Sequence, residues 1–476
     1  MIDRQEIMEF AWEMGIDPNV VEKDYVLGWL LAGISSHPIF SAHWVFKGGT
    51  CLKKCFFETY RFSEDLDFTV INSDHLDQDS LTAGFKEIAQ WVYEAAGIEI
   101  PEERIRFDSY KNVRGRFSIE GRISYRGPLQ RRGDPPRIKL DLTDDELLVL
   151  EPVLREVHHP YSDRPEGGIH ILCYCFEEIF AEKLRALAER ERPRDLYDVV
   201  HLYKHDFLRP DQTVIMATLE KKCAFKGIAV PTMAFLEIKP ERAELEAEWG
   251  NMLSHQLPVL PPFDHYWQEI PALFDWLHGA PPAKALPPIP IRPDIDTTWQ
   301  PPAMAQAWHA PVPLEIIRFA AANRLCVDLE YQGTWRLIEP YSLRRTRDGN
   351  LLLFAVRHET GESRAYRVDR IQGAKATSVS FVPRYMIELT PSGPVSAPAL
   401  TRQSRDLKTF VPKFSKPTYG RSGGKGPSYG PTYVIQCSYC GKKFNRKEYG
   451  TSLNPHKDKQ GYPCPGRIGY LVDTKY

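Results

Sequence analysis

Residues 46–68 read FKGGTCLKKCFFETYRFSEDLDF, with adjacent glycines, Gly48 and Gly49, upstream of two acids, Asp65 and Asp67, separated by one leucine. The stretch runs on as EDLDFTV, an alternating run that reads as a strand, where successive side chains point to opposite faces. Asp65 and Asp67 therefore share one face, and Leu66 and Phe68 the other. Further on, IKLDLT alternates in the same way, with Ile138, Leu140 and Leu142 on one face and Lys139, Asp141 and Thr143 on the other, so Asp141 is a candidate third carboxylate. Clustered carboxylates repel, and without a compensating charge one of them should hold a proton. Magnesium, a hard ion satisfied by a few carboxylates, water and phosphate oxygens, resolves that conflict. Two such ions could activate an attacking hydroxyl and steady a leaving pyrophosphate. A glycine pair lets backbone approach a triphosphate because no Cβ stands in the way, and Lys47 and Lys53 flank it with positive charge. A lone D-x-D would more simply be a solvated strand face. That reading loses ground because a glycine pair, a D-x-D and a later K-x-D strand occur together, a set suited to metal-bound phosphate.

Outward from this stretch, residues 4–15 and 19–36 show helical apolar spacing, HWVFKGG reads as strand and turn, and a helix is expected around 81–96. Alternation returns in RGRFSIEGRISY, while CFEEIFAEKLRALAERERPRDLYDVVHLYKH is helical and interrupted at Pro193. Two composition breaks divide the 476 residues. GAPPAKALPPIPIRPDIDTTWQPPA, residues 279–303, should run extended as a proline-rich spacer, and a basic Gly/Ser/Pro-rich stretch, 396–432, should be flexible. Modules 1–278, 304–395 and 433–476 result.

With 42% hydrophobic and 26% charged residues the chain is of globular type, and no apolar run is long enough to span a bilayer. The start, MIDRQEIMEFAWEMGID, lacks the order of a signal peptide, so a cytoplasmic protein is expected. Nine irregularly placed cysteines argue against a disulfide scaffold; Cys51, Cys55, Cys173, Cys175, Cys223 and Cys326 read as buried thiols. The net charge of −2 hides an asymmetry, because Thr401 to Tyr476 carries 15 Lys and Arg against 4 Asp and Glu. A basic tail on an acidic body suggests a polyanion partner.

The ordered set VEKDYVLGWLL, FKGGTCLKK, RFSEDLDF, IKLDLT and EEIFAEKLRALAERERPRDLYDVVHL, over about residues 15–210, resembles the nucleotidyltransferase superfamily with the DNA polymerase β fold, and within it the AbiEii/AbiGii toxin family. The resemblance implies an α+β multidomain chain whose polymerase β-like core is followed by helices. It implies that Gly48, Gly49 and Thr50 embrace the triphosphate, with Lys47 and Ser63 beside them, and that Asp65 and Asp67 bind magnesium. Asp141 would complete the triad and serve as, or position, the general base. Lys183 and Asp195 match charged residues of a later helical motif thought to contact nucleotide or hold the site together. Arg61, Arg190, Arg194 and Asp198 are further candidates, although for Lys183, Arg194 and Asp198 helix-surface ion pairing is nearly as good a reading. The implied activity moves a nucleoside monophosphate from an NTP to an acceptor, in a toxin–antitoxin or phage-defence setting with a cognate antitoxin. Some relatives modify transfer RNA.

Residues 311–375 read as a helix followed by LCVDLEYQG, TWRLIEPYSL, LLLFAVRH and SRAYRVDRI, a small, mostly β, barrel-like module. It resembles a WYL domain, a ligand- or nucleic-acid-sensing module, although Leu-Leu-Phe stands near where the namesake triplet would lie. Tyr331, Arg336, Arg364 and Arg367 could bind phosphates or bases by charge and stacking, with barrel packing and solvated arginines as the even alternative. WYL-containing proteins often pair, which implies a homo-oligomer. In the tail, Cys437 and Cys440 form a C-x2-C knuckle, and His456 and Cys464 complete a Cys3His set suited to a structural Zn2+. Basic residues interleaved with aromatics around it suit a nucleic-acid grip. Two alternatives remain open: a nucleic-acid-binding regulator with a vestigial transferase site, and an enzyme that nucleotidylates proteins.

Overall fold

A computed structural model describes residues 1–111, 114–204, 210–238, 241–281, 286–299 and 314–389, and in the C-terminal part 432–437, 440, 442–446, 453, 456–457, 463–464 and 469–475. The chain divides into two compact units, Met1–Pro412 and Lys413–Tyr476.

The first unit is organised by a mixed seven-stranded sheet. Its strands are β1 (Trp44–Lys47), β2 (Asp65–Val70), β3 (Ile105–Lys111), β4 (Phe117–Ser124), β5 (Arg137–Thr143), β6 (Val153–Glu156) and β7 (His170–Cys173), in the order β3-β4-β5-β2-β1-β7-β6. Strands β2 and β5 run parallel, as do β1 and β7, and the other pairs are antiparallel. The alternation in the sequence is borne out in burial: Leu66, Phe68, Leu140 and Leu142 have no exposed surface, while Asp65, Asp67 and Asp141 on the opposite face are half-buried.

Local signals set the helices. Asp17 accepts a hydrogen bond from the Asn19 amide and Pro18 occupies the first turn of the helix Pro18–Ser36. The preceding helix, Arg4–Met14, stops at Gly15, whose φ of 62° returns its amide to Ala11 and Trp12. At Pro193 the helix breaks outright: Phe176–Arg190 ends with Glu191 at φ 44°, and Pro193 starts Pro193–Tyr203 at a position where its missing N–H has no role. The glycine pair opens a helical turn, Gly48–Cys51, continued by a π-turn, Leu52–Phe56.

The middle segment contains the helix Leu314–Ala322 and strands β8 (Leu325–Tyr331), β9 (Thr334–Arg345), β10 (Leu351–Arg357), β11 (Ser363–Arg367) and β12 (Ile371–Ser380). They form a five-stranded antiparallel sheet ordered β11-β10-β9-β8-β12. Residues 286–299 of the expected spacer lie against it: Ile289 and Ile295 are 2% exposed among Tyr341, Leu352 and Phe354, and Asp296 pairs with Arg345 at 2.8 Å. Residues 396–431 of the expected flexible stretch fall outside the described residues. In the second unit, β13 (Thr432–Cys437), β14 (Lys443–Arg446) and β17 (Gly469–Lys475) make a three-stranded sheet, and β15 (His456–Lys457) pairs with β16 (Pro463–Cys464). Among the described residues no helix is long and apolar enough to cross a membrane.

Candidate active site

Strand register gathers the acids. Asp65 pairs with Lys139 and Asp67 with Asp141 across β2 and β5, and Lys47 pairs with Asp67 across β1 and β2. Burial, and then the neighbouring Asp141, push the Asp67 carboxyl up to about 6, and burial likewise raises Asp65. Lys139 donates to one oxygen of Asp141 at 2.9 Å and reaches Glu120 at 3.1 Å. The other oxygen, Oδ1 of Asp141, is buried without a hydrogen-bond partner. Orphaned carboxylate oxygen beside an acid held part-protonated is the donor set a hard cation would satisfy.

The glycine turn abuts these acids. Gly48 has φ 79°, and a Cβ on it would stand 2.2 Å from Oδ2 of Asp67. A Cβ on Gly49 would meet the Arg61 guanidinium at 2.6 Å and the Ser63 hydroxyl at 3.1 Å. Thr50 donates its hydroxyl to the Asp65 carbonyl, tying the turn to β2. The fifteen residues between Gly49 and Asp65 are taken up by Thr50 and Cys51 of the helical turn, the π-turn and a loop, 57–64.

The flanking lysines are placed differently from a simple phosphate clamp. Lys47 Nζ lies 3.3 Å from Glu182 and 3.8 Å from Glu146. Lys53 is buried, donates to the Glu58 carbonyl and sits over the Phe62 ring. Glu146 and Glu182 carried no signal in the sequence beyond the second being the neighbour of Lys183.

Behind the acids stands a buried ionic network. Arg61 grips Asp198 through Nε at 2.6 Å and NH2 at 2.7 Å, Tyr60 donates to the same carboxylate, and a third Arg61 nitrogen reaches Gln256 at 3.0 Å. Asp198 in turn holds Lys183 at 2.6 Å, and Lys183 lies 3.5 Å from Asp195, which Arg190 clamps at 2.7 and 2.9 Å. Despite the burial that opposes it, the charges of Arg61 and Lys183 hold Asp198 below the usual carboxylate range. Surface ion pairing is thereby corrected for Lys183 and Asp198, which are 8% and 0% exposed. Arg194 is half-buried and donates to the Met252 carbonyl. Tyr60 and Gln256 went unread because pairings across a hundred residues leave no periodic trace.

Two further groups come together. Cys437, Cys440, His456 and Cys464 converge, with Cys437 and Cys464 sulfurs 3.8 Å apart and Cys440 Sγ 3.4 Å from His456 Nε2, an arrangement that could hold a metal ion. Cys51, Cys55 and Cys173 also converge and are fully buried, whereas Cys175 is half-exposed rather than buried. In the middle segment, Arg336 donates to the Tyr331 carbonyl at 2.6 Å, Arg364 pairs with Glu362 at 2.5 Å, and Arg367 with Asp369 at 2.6 Å. The Tyr366 ring meets Tyr331 edge-on, and its hydroxyl is buried and unbonded.

Comparison with known proteins gives two family matches. The family described as nucleotidyl transferase AbiEii toxin, type IV TA system, matches residues 29–271, half of the chain, and the WYL domain matches residues 313–376. Among solved structures, MenT4, a nucleotidyltransferase toxin from Mycobacterium tuberculosis, is similar with 16% identity and a TM-score of 0.40 over 59% of this chain and 91% of that one. JHP933 from Helicobacter pylori is similar with 16% identity and a TM-score of 0.36 over 55% of this chain and 93% of that one. No curated protein matches.

Proposed function

Since the chain belongs to the AbiEii nucleotidyltransferase toxin family, we propose that this toxin-type nucleotidyltransferase transfers a nucleoside monophosphate from an NTP to an RNA, with transfer RNA as the acceptor. One observation carries the reading: Asp65, Asp67 and Asp141 stand in adjacent register beside Gly48, where the Asp67 carboxylate leaves no room for a Cβ. Asp65, Asp67 and Asp141 would hold magnesium, which when bound polarises the phosphate under attack and offsets its developing charge.

The chain's own residues do the rest. Gly48 and Gly49 let backbone amides approach the triphosphate, and Lys183, steadied by Asp195 and Asp198, supplies a fixed cation at the same face. The acceptor hydroxyl oxygen bonds to the α-phosphorus, the bond from that phosphorus to the bridging oxygen breaks, and pyrophosphate leaves with the electron pair. Asp141, one of whose oxygens is held by Lys139 at 2.9 Å, serves as or positions the general base that takes the hydroxyl proton.

The surplus of positive charge in the tail supports a polyanionic acceptor. Zn2+ on the Cys3His set would fold that tail for contact with RNA, and a cognate antitoxin is the partner the family implies. A cytoplasmic location and pairing of chains belong to the same reading.

The test is purified protein with Mg2+, total cellular RNA and each α-labelled NTP in turn, alongside Asp65→Ala. Label entering RNA of transfer-RNA size with wild type alone is the expected result. Label entering protein instead would replace the acceptor, and no label with any NTP on folded, RNA-binding protein would favour a regulator.

A further inference from the structure

The transferase-family match ends at residue 271 and the WYL match begins at 313, yet the structure carries a buried polar contact from one into the other. The helix Leu314–Ala322 opens the WYL-matching segment, and its Arg318 has no exposed side-chain surface. That guanidinium lies 3.1 and 3.2 Å from the two oxygens of Glu58 and 2.9 Å from Glu315 on its own helix. Glu315 accepts from the Thr59 hydroxyl at 2.6 Å. Glu58 and Thr59 directly precede Tyr60 and Arg61, the two residues that grip Asp198, and Asp198 holds Lys183.

A second contact is made at the end of the same helix. Asn323, just past Leu314–Ala322, accepts from the Tyr197 hydroxyl at 2.9 Å and from Tyr266 at 2.7 Å. Tyr197 is the neighbour of Asp198 on Pro193–Tyr203. The apolar core is continuous across the junction, joining Leu314, Ile317 and Phe319 to the transferase residues and to Leu325, Val327 and Leu329 of the antiparallel sheet. A shift of the helix must therefore move the loop 58–61 or break the buried Arg318–Glu58 pair, leaving the guanidinium to Glu315 of its own helix alone.

We propose that Arg318, Glu315 and Asn323 of the WYL-type segment are positioning residues of the transferase, setting Lys183 through Glu58, Thr59, Arg61, Tyr197 and Asp198. The transferase site is therefore completed by a segment outside the transferase-family match, and whatever the antiparallel sheet binds has a physical route to the nucleotide. This rests on the reading of Lys183 as a nucleotide-side cation.

The full-length chain tests it with three variants, Arg318→Met, Arg318→Lys and Thr59→Val, with exposed Val382→Ala as control. NTP dissociation constants are read by equilibrium binding, KM and kcat by transfer on titrated active protein, and amide exchange along residues 193–203 by mass spectrometry. Arg318→Met should weaken NTP binding and raise KM about tenfold, with faster exchange at 193–203. Arg318→Lys should recover part of the loss, and Thr59→Val, which removes one hydrogen bond, should give about a threefold effect. Simple destabilisation would lower the folded fraction and leave KM unchanged. Unchanged NTP affinity and unchanged exchange in folded Arg318→Met and Thr59→Val overturn the inference, whether or not wild type transfers. Wild type that binds NTP without transferring it overturns the functional reading alone, since binding and exchange still report the coupling. Should Arg318→Met fail to fold, Thr59→Val decides.

Discussion

Gly48 and Asp67 cannot both be kept if the glycine gains a side chain: a Cβ would stand 2.2 Å from the aspartate's Oδ2, and φ at Gly48 is 79°. Gly48→Ala therefore meets a backbone penalty of about 1–2 kcal/mol and displaces the carboxylate at the centre of the acid cluster. Stability should fall by about 2 kcal/mol, and transfer should fall about a hundredfold, as a small misplacement of reacting groups does. A melting curve and a labelled-NTP assay check both; a folded Gly48→Ala protein with normal turnover would remove the glycine turn from the site.

Asp67 carries charge at the expense of the fold. Burial and Asp141 raise its carboxyl from the ordinary 3.8 to about 6, so at neutral pH the ionised form destabilises the folded state, by about 1–3 kcal/mol after allowance for its partial solvent contact. Asp67→Asn should melt higher than wild type in chelator while losing transfer. Added Mg2+ should raise the melting temperature of wild type and leave Asp67→Asn where it was. Equal responses of the two proteins to Mg2+ would take Asp67 out of the metal set.

Buried histidines make the fold acid-labile. Burial, and then Lys53 and Lys54, lower His158 from 6.5 to about 3; burial and Lys204 lower His265 to about 4; His159 is also held well below its ordinary range. These rings stay neutral in the fold and take up protons once unfolded, so the stability they contribute is whole above pH 6.5 and is lost as pH falls through 6.5 toward 4. The carboxyls that burial raises, Asp65, Asp67, Glu13 and Glu22, act in the opposite sense, four groups against five once His37 and His170, also lowered by burial, are added to the histidines. Calorimetric melting temperatures should drop steadily from pH 7 to pH 4.5, and a level profile over that span would refute the account.

What the sequence made legible follows from what periodicity encodes. The faces of β2 and β5 were readable because burying Leu66, Phe68, Leu140 and Leu142 forces Asp65, Asp67 and Asp141 to the other side. Pro193 marked a helix boundary through its own ring, wherever the helix lay. Strands β6 and β7 had only four residues each, too few for alternation to show. The partners of Lys47, Arg61 and Arg318 come from segments remote in sequence, and no local pattern states that Arg61 meets Asp198 or that Arg318 meets Glu58. The proline-rich run 279–303 was read from composition as an extended spacer, but within 286–299 Ile289 and Ile295 supply apolar anchors that composition averages away.

The Cys3His set supplies the last prediction. Among the described residues of the second unit the buried apolar groups are few, Val434, Ile435, Cys437, Leu453 and Cys464, far too little to offset the chain entropy of ordering the segment. Three thiolates and an imidazole around Zn2+ would supply the missing free energy, because binding and folding of so small a unit are one event. Metal analysis should find one zinc per chain that Cys464→Ser abolishes. With the zinc gone, protease should cut between residues 432 and 475 at least about tenfold faster, while the main melting transition of residues 1–412 stays within about 1 °C of wild type. RNA affinity should weaken and its salt dependence flatten as the tail's phosphate contacts are lost. A Cys464→Ser chain that keeps its zinc, or a zinc-free tail equally resistant to protease, would leave the four side chains as a thiol cluster without a metal role.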